Sequence, residues 1–371
     1  MRFLRKILLV ITLIAINNVA HSQRIQVVDT EGMPIAYVCV TNEKGYLIGS
    51  TNNEGWLDDA KGSAVLNLSH VAFRDKVVRI DEVTDGRIIM EDVDFNLPEL
   101  EVKPKELAYV QTYFRLIYFD EDGPIYFRGG VIDNTYEFAN HKTSSKTRSL
   151  SKGRSGFIRF LISTIVGRYI DKLGQIGLRT DAQRISKGVK DGHLTLSEEI
   201  NGRSIVSDSI CILGYLDYDT VAGIRTSSFD SWKYSQHRKE AEERAKAKKE
   251  MKKKKDDKKD EDESEDSYYE VFHINKDRHA RVDDFIMRQL QTKGKHSRTG
   301  TEYMILLQAY ATDRNYINKN EYKQLRKENK VDMEIHELKQ FEKAHNIPPL
   351  APDIQAQIDK LFEKELNKKK N

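Results

Sequence analysis

The stretch RIQVVDTEGMPIAYVCVTNEKGYLIGSTNNEGW, residues 24–56, decides the fold of the N-terminal part of the chain. Short runs rich in β-branched and aromatic residues alternate with polar turns, as at Ile25–Val28 and at residues 36–40. Three of these turns end in a glycine, which tolerates the positive φ that a tight hairpin needs: Gly32, Gly45 and Gly55. Strands this close together, with no helical period between them, predict an antiparallel β-sandwich.

The same pattern of short β runs and polar turns continues downstream of this stretch. Further β runs follow at residues 65–68, 76–80 and 87–90. We therefore expect the sandwich to occupy residues 23–103, and the whole chain to be a β-rich α+β protein.

Five blocks of this region carry a resemblance to a known family. They are Val27-x-Asp29, Gly32-x-Pro34-Ile35-x4-Val40, Gly49-x-Thr51-Asn52-x2-Gly55-Trp56, Leu66-x-Leu68-Ser69-x-Val71-Ala72-Phe73 and Leu97-x-Glu99-Leu100-x-Val102. In this order they resemble the carboxypeptidase-regulatory-like domain, a transthyretin-like β-sandwich common in envelope proteins of Bacteroidetes. Ala72 stands where the family usually has Gly, and Trp56 where it prefers Phe or Tyr. The resemblance implies an accessory module and carries no catalytic residue.

Residues 1–22 have the three parts of a secretory signal. Positive side chains precede a ten-residue, mainly apolar run at residues 7–16, and small residues follow at Ala20 and Ser22. The apolar run is well short of the ~20 residues that cross a bilayer, so a retained anchor is the less favoured alternative. We expect cleavage before Gln23, and export to the periplasm, the outer-membrane periphery or the cell surface.

The charge balance supports a neutral mature protein. The full chain has 61 Lys and Arg against 58 Asp and Glu, a net charge of +3. The signal holds three basic residues and no acidic ones, so its removal leaves 58 basic against 58 acidic residues. An exported chain with no net charge lacks the electrostatic footprint of a nucleic-acid-binding protein.

Residues 104–312 predict a curved antiparallel sheet with helices. Runs at residues 109–119 and 125–138 flank the turn DEDGP, which predicts a long hairpin. Gly129-Gly130 predicts a bulge or bend in its second strand. Asn201-Gly202 predicts another hairpin, between residues 194–200 and 204–216. Further strands are predicted at residues 228–235, 268–274 and 303–310, a helix at 157–173, and a flexible basic segment at 141–155.

Residues 313–371 predict a helical tail. Asn318-x-x-Glu321 matches a capping box and opens a short helix that runs to about residue 328. Two more helices are predicted near residues 333–345 and 353–367, joined by the stiff connection PPLAP.

A charged insertion occupies residues 237–267. It contains twelve basic and twelve acidic side chains, with the basic ones first. Its first half has the composition of an exposed helix, and its second half has so few apolar residues that we expect disorder. A contact arm for an acidic surface is the functional interpretation, but a solvated loop extension is favoured because the two ends cancel.

Several motifs resemble catalytic or metal sites without completing one. His237-x-x-Glu240 has the zinc-ligand spacing of metallocarboxypeptidases, yet nothing in the charged run buries or orients it. Ser149-x-x-Lys152 has the spacing of penicillin-binding enzymes without their companion motifs. Asp120-x-Asp122-Gly123 is a hairpin tip rather than a calcium loop. We therefore predict no catalytic, cofactor-binding or metal-ligating residue and no cofactor.

The cysteines and tyrosines are interpreted as structural. Cys39 and Cys211 lie between β-branched residues, and free thiols are favoured over a disulfide because the two belong to separate predicted modules. Tyrosines recur on the first long hairpin, at Tyr113, Tyr118, Tyr126 and Tyr136. They could line a sugar- or lipid-binding face, but the half-buried face of a sheet is favoured.

These observations favour an exported, non-catalytic envelope protein with an accessory sandwich and a binding or assembly domain. The expected partners are envelope proteins, including outer-membrane receptor complexes, and a lipid or glycan ligand. The alternative is a lipid or lipoprotein carrier, which requires an apolar groove in the second region. A zinc carboxypeptidase-type enzyme is the least favoured, and needs clustered His and acidic residues in one pocket.

Overall fold

The computed structural model describes residues 24–58, 60, 62–93, 105–140, 142–154, 181–198, 203–219, 223–249, 264–273, 282–295, 300–328 and 331–370. Within these ranges strands predominate and helices are the minority, so the predicted β-rich α+β class is confirmed. The predicted signal, the helix at residues 157–173 and the Asn201-Gly202 turn lie outside the described residues.

The N-terminal region is a sandwich of a three-stranded and a four-stranded sheet, ordered β4-β1-β7 and β3-β2-β5-β6. Its strands are β1 (Ile25–Val28), β2 (Cys39–Asn42), β3 (Leu47–Ser50), β4 (Trp56–Leu57), β5 (Val65–His70), β6 (Phe73–Arg79) and β7 (Arg87–Ile89). Val27, Val38, Leu66 and Leu68 belong to its core and are fully buried.

Two details of the sandwich test the sequence predictions. Gly32, Gly45 and Gly55 have φ values of 82°, 75° and 72°, as the turn signals predicted. The all-antiparallel prediction is wrong for one pair, because β7 lies parallel to β1. The chain leaves β6 through a 3-10 turn at Ile80–Glu82 and crosses to the other sheet, where it enters in the same direction as β1.

The second region is an open eleven-stranded sheet, ordered β11-β12-β13-β14-β15-β16-β17-β8-β9-β10-β18. Its strands are β8 (Leu107–Asp120), β9 (Gly123–Glu137), β10 (Lys142–Arg154), β11 (Thr195–Glu198), β12 (Ser204–Ser207), β13 (Ile212–Asp219), β14 (Ile224–Asp230), β15 (Ser264–His273), β16 (Phe285–Lys295), β17 (Glu302–Ile317) and β18 (Val331–Asp332). Among these described strands, β10 and β18 form the one parallel pair. The long hairpin is confirmed as β8 and β9.

Five α-helices occur in the described residues: α1 (Asp181–Lys190), α2 (Ser231–Lys249), α3 (Lys319–Lys327), α4 (Ile335–Ala344) and α5 (Pro352–Lys370). The Asn318 side chain accepts hydrogen bonds from the N–H groups of Asn320 and Glu321, which confirms the capping box of α3. No helix of the described part of the chain is long and apolar enough to cross a membrane.

The two faces of strand β8 belong to two different cores, because successive side chains of a strand point to opposite sides. Phe114 and Leu116 lie in one core with the odd-numbered residues of β17. Tyr113 and Ile117 lie in the other, together with side chains of α4, α5 and the sandwich. The predicted tyrosine row is therefore divided between the two cores. Tyr113 lies in the core that contacts the helices and the sandwich, while Tyr118, Tyr126 and Tyr136 belong to or pack against the core that contains Phe114.

Four element predictions are corrected by the structure. The flexible segment predicted at residues 141–155 is wrong for residues 142–154, which form β10 and pair with β9 along their length. The run 204–216 is two strands, β12 and β13, separated by a turn at Asp208. The strand predicted at 228–235 ends at Asp230, whose side chain caps α2 by accepting a hydrogen bond from Lys233 N–H at 2.8 Å. The helical tail begins after Ile317 rather than at residue 313, because β17 extends that far.

The charged insertion is more ordered than predicted. Its first half continues α2 to Lys249, in keeping with the helix-forming Ala, Glu and Lys content. The helix predicted for the first half is therefore confirmed up to Lys249. Residues 264–267 open β15, which pairs with β14, so the disorder predicted for the second half is wrong for its last four residues. Residues 250–263 lie outside the described ranges.

Gly129-Gly130 permits close packing rather than a bulge in β9. The register with β8 is continuous at both residues. A Cβ on Gly130 would lie 2.2 Å from the carbonyl oxygen of Ser149, so only glycine fits there. The irregularity lies on the neighbouring strand β10, between Thr147 and Ser149.

Candidate functional site

A buried row of polar side chains joins the sandwich to the large sheet. Gln289 of β16 donates to the Tyr37 carbonyl at 2.7 Å and accepts from Val71 N–H at 3.0 Å. Gln308 of β17 donates to Gln289 Oε1 at 2.9 Å. The row continues into β8, where Arg115 Nε donates to Gln308 Oε1 at 2.7 Å. Gln289 thereby satisfies the buried Val71 N–H, and it shares the Tyr37 carbonyl with Gln291, whose Nε2 donates to it at 2.5 Å. These bonds fix the position of the sandwich on the sheet.

Two titratable side chains of the sandwich are buried at the same junction. The His70 ring packs edge-on against Tyr269 of β15, with ring centroids 4.5 Å apart. Burial lowers the pKa of His70 to about 3. Burial raises the pKa of Asp75 to about 7, although the Arg115 guanidinium acts in the opposite direction. The junction therefore holds a neutral imidazole and a carboxyl group that resists ionisation.

A cavity of about 510 Å³ opens between the sandwich and the sheet, and we call it the cleft. Its sandwich side includes Thr51, Asn52, Asn53 and Glu54. Its sheet side is formed by the turn before β13, the start of α2 and strands β13 to β16. The residues are Cys211, Ile212, Asp230, Trp232, Lys233, Ser267 and Lys293. The lining combines amides, hydroxyls and charges with one indole ring.

A second cavity of about 370 Å³ adjoins the cleft. Trp232 and Lys293 line both cavities, so the two form neighbouring parts of one groove. The second cavity is more apolar, with Leu47, Ile48 and Met304 in its walls. The tip of the β8–β9 hairpin supplies the acidic side chains Asp120 and Glu121.

The electrostatics of the cleft centre on Asp230, a partly buried acid that interacts with Lys233 and Lys293. Burial raises the pKa of Asp230, while the hydrogen bond from Lys233 N–H and the positive charges of Lys233 and Lys293 act to lower it. Because Asp230 also caps α2, it fixes the helix start that places Trp232 in the cleft. The site can thus offer an aromatic surface, hydrogen-bonding groups and charges of both signs.

The motif residues considered in the sequence do not assemble as a catalytic set in the described structure. Ser149 pairs with Val131 of β9, and Lys152 follows three positions later on the same strand, β10. Asp120 accepts from Asp122 N–H at 2.9 Å, which is the predicted hairpin tip. Cys39 and Cys211 are free thiols, as predicted. Cys39 is fully buried, whereas Cys211 is partly exposed at the cleft.

His237 is the exception, because the prediction that nothing orients it is wrong. Its Nδ1 lies 2.5 Å from Asp208 Oδ2, in the turn between β12 and β13. Burial would raise the pKa of Asp208, but hydrogen bonds from Cys211 N–H, the His237 ring and Ile210 N–H leave it below its usual value. The sequence missed this contact because the partner of His237 is Asp208, not Glu240 of the recognisable motif.

Comparison with known proteins gives no identification. Neither a family model nor a curated protein matches the chain. The resemblance of the sandwich to the carboxypeptidase-regulatory-like domain therefore rests on its sequence blocks.

Proposed function

We propose that this chain is an exported, non-catalytic envelope protein whose ligand binds in the cleft between an accessory sandwich and a large binding sheet. The observation that carries the proposal is that Trp232 and Lys293 line both halves of a groove walled by the two units. Binding sites commonly form where two units meet, since each contributes side chains to one concave surface.

The lining favours a glycan over a lipid as the ligand. The larger cavity is lined by Asn52, Asn53 and Ser267 together with the Trp232 indole. Such a set can hydrogen-bond hydroxyl groups while the indole covers an apolar sugar face. A lipid carrier would need a predominantly apolar groove, and of the two cavities only the smaller one has a mainly apolar lining. A soluble fragment of an envelope polysaccharide is thus the ligand class that fits the cleft.

The docking role of the sandwich is supported by its sequence resemblance and by its seating on the sheet. The carboxypeptidase-regulatory-like domain is an accessory module, and Gln289 holds the sandwich of this chain on strand β16. We propose envelope proteins as partners, including outer-membrane receptor complexes.

Export is tested by the N-terminus of the protein made in a Gram-negative host. We expect the envelope fraction to contain a chain that begins at Gln23, because residues 1–22 carry the three signal features. N-terminal sequencing and intact mass measure the cleavage. Leu9→Arg, which interrupts the apolar core, should leave the uncut chain in the cytoplasm. A wild-type chain that keeps Met1 in the cytoplasm would contradict the proposal.

Ligand binding is tested by the fluorescence of the two tryptophans, Trp56 and Trp232. Titration with soluble peptidoglycan and polysaccharide fragments should change the emission of wild type and Trp56→Phe, but not that of Trp232→Phe. Trp232→Ala should bind about two- to tenfold more weakly, since an aromatic contact contributes roughly 0.5–1.5 kcal/mol. Calorimetry measures the affinity. Unchanged affinity in Trp232→Ala, or no response from wild type, would place the site elsewhere.

A further inference from the structure

Three side chains with metal-binding atoms meet beside the cleft. Asp208 and Cys211 lie in the turn between β12 and β13, and His237 lies in the second turn of α2. One ligand atom of each, a carboxylate oxygen, the thiol sulfur and an imidazole nitrogen, lies within 4.8 Å of the others. The residues come from two separate elements, so the fold rather than the local sequence brings them together.

The turn holds the Asp208 carboxylate in one orientation. Its Oδ1 accepts hydrogen bonds from Ile210 N–H at 2.8 Å and Cys211 N–H at 2.9 Å. Asp208 N–H donates in turn to the Cys211 carbonyl at 3.1 Å, which closes the turn. Oδ2 is thereby directed at His237, on the side where the thiol also lies. A carboxylate that ligates a metal is typically oriented in this way, with hydrogen bonds to one oxygen and the other oxygen free to face the ion.

Both elements are anchored by a small core of their own. Val206 of β12 and Leu213 of β13 are fully buried in it, together with Phe229. Tyr234, one turn before His237 on α2, packs against Phe229 with ring centroids 5.7 Å apart. The Asp208 side chain is 7% exposed and the His237 side chain 18% exposed. The three ligand atoms therefore lie on a rigid, mostly shielded support.

We propose that Asp208, Cys211 and His237 bind a divalent transition-metal ion of the zinc type. Zn²⁺ accepts sulfur, nitrogen and oxygen ligands together, and a mixed set of this kind suits it better than Ca²⁺ or Mg²⁺, which require oxygen ligands. Binding converts the Cys211 thiol to a thiolate and releases its proton to solvent. Three protein ligands leave one tetrahedral position, which water or a ligand can fill.

This site is independent of the glycan proposal, but it touches the same cleft. Cys211 lines the larger cavity, so a bound ion would lie at the cleft wall. The ion would also join α2 to the β12–β13 turn. The competing interpretation is a simple ion pair between Asp208 and His237 in which Cys211 has no binding role. The experiment must distinguish this ion pair from a metal site.

The test is titration of the metal-free, reduced mature chain with Co²⁺, whose spectrum reports its ligands. We expect one equivalent of Co²⁺ to give a thiolate charge-transfer band in the near ultraviolet and the visible bands of a four-coordinate ion. Equimolar Zn²⁺ should remove both. Cys211→Ser should abolish the charge-transfer band, and His237→Ala should weaken binding at least about tenfold.

Two matched controls make the result decisive. Cys39→Ala removes the other thiol, and Glu240→Gln removes the acid of the His237-x-x-Glu240 motif. Both variants should keep the wild-type spectrum and affinity. His237→Gln serves if His237→Ala does not fold by circular dichroism. The proposal is overturned by a wild-type spectrum without the thiolate band, by a band that survives in Cys211→Ser, or by loss of binding in either control.

Discussion

Arg115→Met is expected to lower the free energy of unfolding by about 3–5 kcal/mol, the cost of removing one partner from a buried charged network. The Arg115 side chain is 1% exposed. Its guanidinium donates to Gln308 Oε1 and to the Pro348 carbonyl, each at 2.7 Å, and lies 3.7 Å from a Glu342 oxygen. Methionine fills much of the volume of the arginine side chain. It leaves the acceptors of the guanidinium buried without a hydrogen-bond donor.

Urea unfolding followed by circular dichroism measures the effect, and Arg79→Met is the matched control. Arg79 pairs with Asp81 at 2.8 Å, but its side chain is 63% exposed. Exposed pairs contribute little, so this control should leave the free energy of unfolding close to the wild-type value. Arg115→Lys keeps the charge but loses the planar fork, and should lie between the two. Equal losses in Arg115→Met and Arg79→Met would show that the network does not stabilise the fold.

The second large effect is a pair of opposite pH dependences at the junction of sandwich and sheet. Between about pH 4 and pH 6.5, folded Asp75 stays protonated while the unfolded residue ionises, because its folded pKa is about 7 against 3.8. Its contribution to stability is therefore present at low pH and is lost as the pH rises through about 7. Folded His70 is neutral in the same window while the unfolded imidazole is protonated, because its folded pKa is about 3 against 6.5. His70 therefore destabilises the fold at low pH, and this penalty disappears as the pH rises.

The two contributions oppose each other in wild type, and single variants should reveal them. Asp75→Asn should make the free energy of unfolding rise with pH, and His70→Asn should make it fall, each by up to about 1.4 kcal/mol per pH unit. Urea unfolding at several pH values from 4.5 to 6.5 measures the slopes. Other titrating groups are common to both variants, so the difference between the two slopes isolates this pair. Slopes of the same sign and size in both variants would refute the assignment.

Local signals in the sequence predicted those elements whose causes are local. The glycine turns of the sandwich, the β8–β9 hairpin and the Asn318 capping box depend on residues a few positions apart, and all three are present. Strand β16 was missed because its buried positions include Gln289, Gln291 and Thr292, which hide the apolar alternation. The partner that makes Gln289 acceptable in the interior is the Tyr37 carbonyl, 252 positions away.

The candidate sites were missed for the same reason. The cleft forms where residues 51–54 face the start of α2. No spacing in the sequence predicts that these two segments lie close together. Asp208 and His237 are 29 positions apart and lie on different elements. The available signal was the Asp208-x-x-Cys211 turn followed by a histidine, which is too common to predict a metal site alone.

The polar row through Gln289 also sets an order of events when the chain folds. The sandwich leaves the ribosome early, but the Tyr37 carbonyl and Val71 N–H must wait for Gln289, more than 200 residues later. Strand β8 likewise waits for β17, since Arg115 and Gln308 are 193 positions apart. Contacts this distant in sequence make folding slow and leave unpaired strand edges exposed in the meantime. The whole protein should therefore depend on chaperones during its maturation more than an isolated sandwich domain would.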